Sequence, residues 1–156
     1  MKNLLLKLQK DFPELSFKQG EVFCWSPETR EVLYKEHAVD DDQPLWALLH
    51  EVAHGILQHT NYASDFELIQ LESEAWRKAR ALGKHYKIPI PNEHIQDCLD
   101  TYRDWLHARS LCPSCKRNGI EDQSGHYQCL NCPTSWQVTK EKLKRVYRRT
   151  LIQSAS

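Results

Sequence analysis

His50, Glu51 and His54 are residue types that can hydrolyse a bond, set at a spacing that lets them act together. On a helix, residues four apart share a face, so His50 and His54 can offer two imidazoles to one zinc ion. Glu51, one position round, then lies where a carboxylate can take a proton from water beside the metal. The H-E-x-x-H spacing fixes only three positions, but its surroundings sharpen it. Leu45, Leu48, Leu49, Val52, Ile56 and Leu57 take up most of the helix circumference, so the segment must be buried. Two histidines and a glutamate are costly to bury unless something compensates them.

A third ligand follows from the next helix. Ser64-Asp65-Phe66-Glu67 has the capping-box form, and the helix it opens is expected to close at Gly83. Leu68, Ile69, Ala75, Trp76, Ala79 and Leu82 draw one apolar stripe with Glu72 in its middle, whereas Glu74 shares a solvated face with Gln70, Arg77 and Lys78. Glu72 is therefore expected to face the first helix and complete a His-His-Glu zinc site with a position open for water. His59 lies five residues after His54, roughly 140° from the ligand face if the helix continues. It reads as a helix-end residue favoured by the dipole, not as a ligand.

Cys112-Pro113-Ser114-Cys115 and Cys129-Leu130-Asn131-Cys132 carry a second kind of metal chemistry. The two C-x-x-C knuckles are 13 residues apart, the spacing of a zinc ribbon. Four thiolates close a tetrahedral site, so this zinc would fold the segment and do no chemistry. After it, Leu143, Val146, Tyr147 and Leu151 alternate with Lys140, Lys142, Lys144, Arg145, Arg148 and Arg149 as in an amphipathic basic helix. That helix is either a solvated face packed on the ribbon or a contact for nucleic acid.

The remaining elements must hold these residues in place. Leu4, Leu5, Leu8 and Phe12 predict a first amphipathic helix that Pro13 ends. Residues 15–25 and Glu31-Val32-Leu33-Tyr34 read as a hairpin around the turn Ser26-Pro27-Glu28-Thr29, and a strand edge beside the metal could hold an extended substrate. Pro44 suits the first turn of the zinc helix, which is expected to run to about His59. Asn92 can cap a further helix with the stripe Ile95, Cys98, Leu99, Tyr102, Trp105 and Leu106. Tyr62, His85 and Tyr86 are candidates to stabilise an oxyanion, while His94 and His107 read as surface residues. The expected fold is α+β: a small zincin-like domain over residues 1–109, with a short antiparallel sheet and packed helices, then a zinc ribbon and basic helix over residues 110–156.

The chain has 156 residues, with 21 Lys and Arg against 21 Asp and Glu, so no global field favours nucleic acid or a membrane. Acids such as Asp40, Asp41 and Asp42 precede the zinc helix, and bases gather near the C-terminus. Four of the six cysteines stand in the two knuckles, which with no secretory signature argues for metal binding in a reducing, cytoplasmic setting. No stretch is apolar enough to cross a bilayer.

His50-Glu51-Val52-Ala53-His54, followed by Leu71-Glu72-Ser73-Glu74-Ala75 and Ala79, resembles the ImmA/IrrE family of metallopeptidases over about residues 15–85. The second motif of that family runs roughly E-x-E-A-N-x-F-A. The resemblance implies zinc bound by His50, His54 and Glu72, with Glu51 as the catalytic base. Trp76 departs from the family's Asn or Asp, and Lys78 from its Phe; the first departure implies a lost polar contact to a ligand histidine. The expected function is a zinc endopeptidase acting on a protein or peptide, with one catalytic and one structural Zn2+. Two alternatives are a SprT-like, DNA-associated protease, which would need a third histidine ligand, and a non-catalytic adaptor whose ribbon binds nucleic acid or protein.

Overall fold

The computed structural model describes residues 1–36, 42–139 and 148–151. It is α+β, with four helices and two small sheets among these residues. Contacts divide the chain into two compact units, Met1–Asn61 with Gln70–Gln96, and Tyr62–Ile69 with Asp97–Ser156.

In the first unit, α1 (Lys2–Asp11) buries Leu4 and Leu8, and Phe12 closes it by donating its N–H to the Leu8 carbonyl. Pro13, next in the chain, cannot continue the ladder. Three strands follow: β1 (Ser16–Gln19), β2 (Cys24–Ser26) and β3 (Glu31–Tyr34), in the order β1-β3-β2. The β2–β3 pair is the expected antiparallel hairpin, with Trp25 opposite Val32 and Arg30 at φ 54° turning the loop. The stretch 15–25 is not one strand, however. Gly20–Phe23 breaks it, and β1 joins β3 in parallel, so the sheet is mixed and not wholly antiparallel.

Helix α2 (Gln43–Ile56) has Pro44 in its first turn and buries Leu48, Leu49, Val52 and Ala53 completely. Each large apolar side chain so buried contributes roughly 1.5–3 kcal/mol. Val32, in the central strand, is also fully buried, and β2 and β3 both pack on α2. A Cβ at Gly55 would come within 3.1 Å of Leu15 and Trp25, so a residue without a side chain lets the sheet close on the helix. Helix α3 (Asp65–Tyr86) runs three residues beyond the expected stop at Gly83. Its end is a Schellman motif in which Lys87, not glycine, takes the left-handed conformation at φ 61°. The Ile88 N–H reaches the Gly83 carbonyl at 2.7 Å and the Lys87 N–H reaches that of Lys84 at 3.3 Å. Gly83 is required for another reason: a Cβ there would stand 2.5 Å from the Ile88 carbonyl oxygen.

The second unit takes the first turn of α3, helix α4 (Asn92–Ser110) from Asp97 onward, and a four-stranded sheet. Its strands β4 (Gly119–Glu121), β5 (Tyr127–Cys129), β6 (Ser135–Val138) and β7 (Arg148–Leu151) are antiparallel neighbours in that order. Arg148–Leu151, expected in the basic helix, is instead a strand on β6: Trp136 faces Thr150, and Val138 faces Arg148. Pairing to an open strand edge satisfies its backbone, and this outweighs a helical charge pattern. The rest of that expected helix, residues 140–147 and 152–156, lies outside the described residues, as do Asp40 and Asp41. Trp136 and Tyr127 stack at 5.6 Å and form the core with Cys112 and Cys129. No described helix is long and apolar enough to cross a membrane.

Candidate metal centre

His50 and His54, one turn apart on α2, point their Nε2 atoms at each other across 3.1 Å. Glu72, from the buried stripe of α3, brings Oε2 to 3.2 Å from His50 Nε2 and Oε1 to 3.6 Å from His54 Nε2. All three side chains are buried. A tetrahedral zinc with bonds of about 2.0–2.2 Å holds its nitrogen and oxygen donors roughly 3.3–3.6 Å apart, so the three groups fit that ion. Two imidazoles and one carboxylate are also the donor set of a zinc site with an open position. Burial alone would raise the Glu72 carboxyl. The hydrogen bonds from His50 and His54 outweigh it and hold the group well below the usual carboxylate range.

Glu51, the residue after His50, is half-buried, and its Oε2 accepts the backbone N–H of Trp25 at 2.7 Å. Trp25 lies on β2, the edge strand, and this N–H points away from the β3 ladder. The edge strand and the carboxylate are thus joined. Burial, and then the nearby Glu51 charge, push up the thiol of Cys24 on the same strand.

Three residues that the sequence reading did not count among the ligands complete the surroundings. His59 is buried, and its Nδ1 lies 2.9 Å from His54 Nδ1. Helix α2 ends at Ile56, and Gln58 turns left-handed at φ 55°, so the chain reverses and does not carry His59 to the far side. Trp76 stacks on His50 at 4.1 Å and 25°. His50 Nδ1 is buried with no hydrogen-bond partner among the described residues. His94, expected on the surface, is half-buried with its ring 4.7 Å from Trp46 and 5.5 Å from Trp76. Of the oxyanion candidates, Tyr86 donates its hydroxyl to Asp11 Oδ2 at 2.7 Å and is committed there, while His85 is exposed. Tyr62 belongs to the other unit.

Cys112, Cys115, Cys129 and Cys132 form the second group, their sulfurs all within 4.8 Å of one another. Cys112 and Cys132 stand 3.7 Å apart, and Cys115 and Cys129 3.4 Å. Zinc–sulfur bonds of about 2.3 Å in a tetrahedron separate the sulfurs by roughly 3.8 Å, so this group also fits zinc. Burial opposes ionisation of Cys112, but backbone N–H groups of Cys115 and Ser114 bring it down to about 6, toward the thiolate that a metal needs. Asp65, Arg109 and Tyr127 are a buried group in the same unit. Arg109 pairs with Asp65, donates to the Thr139 carbonyl and lies over the Trp105 ring, and the Tyr127 hydroxyl donates to Asp65 at 2.6 Å.

The two groups, His50 with His54 and Glu72, and the four cysteines, can each hold a metal ion. No protein-family model, curated protein or solved structure matches the chain.

Proposed function

We propose that the protein is a zinc-dependent endopeptidase of the ImmA/IrrE type, with a zincin-like first unit and a structural zinc in the ribbon. One observation carries this reading: His50, His54 and Glu72 stand at zinc-donor distances, and Glu51, the residue after His50, has its carboxylate tied to the edge strand of a sheet. His50, His54 and Glu72 would hold the catalytic ion, and Cys112, Cys115, Cys129 and Cys132 the structural one. Bound zinc would act as a Lewis acid on the scissile carbonyl and make water easier to deprotonate.

The chain's own residues supply the rest. The Trp25 N–H fixes one oxygen of Glu51, which leaves the other to take a proton from water and return it to the departing amine. Because the Trp25 N–H is taken by Glu51, it is not available to pair with an extended substrate along β2. The SprT-like alternative is less well supported, because Glu72 stands where a third histidine would be needed.

Incubating the zinc-loaded protein with a broad peptide library tests the reading. Wild type should cleave, and Glu51→Gln should keep its fold and metals yet lose cleavage. Equal cleavage by Glu51→Gln would remove Glu51 as the base. No cleavage by wild type would favour the adaptor alternative.

A further inference from the structure

We infer that His59 is a positioning residue that fixes the tautomer and ring orientation of His54 at the metal group. This rests on the reading of His50, His54 and Glu72 as a zinc site.

The end of α2 is built to bring these two rings together. Gln58, left-handed at φ 55°, makes a Schellman motif: the His59 N–H bonds to the His54 carbonyl at 3.0 Å and the Gln58 N–H to that of Gly55 at 3.2 Å. This motif sets the second residue past the helix cap against the residue three positions inside it, and those residues are His59 and His54. The His59 carbonyl is held in turn by the Trp25 indole N–H at 2.8 Å. The backbone of His59 is therefore fixed from both sides before its side chain makes any contact.

The ring contact then determines where the protons go. The two Nδ1 atoms lie 2.9 Å apart, so one carries the hydrogen and the other accepts it. His54 directs Nε2 at His50 and Glu72, and a metal ligand offers a bare nitrogen. His54 must then carry its hydrogen on Nδ1 and donate it, and His59 accepts on Nδ1 and carries its own hydrogen on Nε2. That Nε2 lies 3.7 Å from a Glu74 oxygen, a contact suited to a ring with the hydrogen on this side. A hydrogen bond to the outer nitrogen of a ligand histidine orients the ring and raises its basicity, and its loss typically weakens metal binding roughly 10–100-fold. His50 has no such partner on its Nδ1 among the described residues, so the support falls on one ligand of the pair.

Zinc affinity of the full chain, measured by chelator competition with the ribbon kept loaded, tests the inference alongside imidazole nitrogen NMR of the zinc-loaded protein. His59→Ala should weaken the weaker zinc site roughly 10–100-fold. His59→Asn offers an amide oxygen near the position of Nδ1 and should restore most of the affinity. In wild type, NMR should show His54 protonated on Nδ1 and His59 on Nε2, a readout that needs no variant to fold. Unchanged affinity in His59→Ala, failure of His59→Asn to recover it, or a His59 protonated on Nδ1 would each overturn the role. A wild-type chain that binds zinc only at the ribbon would instead overturn the zinc-site reading, and this inference with it.

Discussion

Glu72 is the residue on which the metal group turns, because it is a carboxylate in the middle of a buried helical stripe. Leu68, Ala75, Trp76, Ala79 and Leu82 share its burial, whereas Glu74 is about half exposed and pairs with Arg77 and His59. Glu72→Ala should therefore lower zinc affinity at this site strongly, as measured by competition with a chelator, and Glu74→Ala should change it far less. An equal effect of the two would mean that the stripe does not decide which carboxylate binds. The choice between Glu72 and Glu74 was legible in the sequence because helical periodicity alone separates the two faces. His59 was not, because its position depends on one left-handed residue, and Gln58 is not a residue type that announces such a turn. The resemblance put position 76 near a ligand histidine, but that Trp76 stacks on His50 was hidden, since it needs two helices placed in space.

The elements were legible where a periodic pattern or strong punctuation sets them. Asn92 opens α4 and Pro44 lies in the first turn of α2, while half of the α3 capping box forms: the Glu67 N–H donates to Ser64 Oγ at 3.2 Å, but Glu67 Oε2 accepts the Ala63 N–H and not that of Ser64. What failed were stops and pairings. Gly83 looked like a helix end because glycine often is one, but it lies inside the helix, where its missing Cβ makes room for the Ile88 carbonyl just past the helix end. Arg148–Leu151 looked helical because the neighbouring basic residues do, but the open edge of β6 takes it as a strand. The second unit also contains a buried ion pair that no local pattern foretells, Arg109 with Asp65, 44 residues apart in sequence. Arg109→Ala would leave Asp65 buried without its counter-charge, at a cost on the order of 3–5 kcal/mol. Denaturant unfolding should show a loss of that size, and a change under about 1 kcal/mol, as for a surface pair, would contradict it.

Across the whole molecule, the proposal gives one chain two metal sites of different purpose, each with a donor group that can hold an ion. The four clustered cysteines would close their site as thiolates and rest on a small core of Trp136 and Tyr127, so its metal and its fold should be lost together. The histidine site sits on helices with their own packed core, with Leu48, Leu49, Val52 and Ala53 fully buried, and should keep its fold without the ion. The most direct measurement is the number of zinc ions per chain in wild type, Cys112→Ser and Glu72→Ala. The account predicts about two in wild type and about one in each variant. Cys112→Ser should lose structure in the C-terminal segment, and Glu72→Ala should not. A single zinc in wild type, or loss of both from either variant, would contradict it.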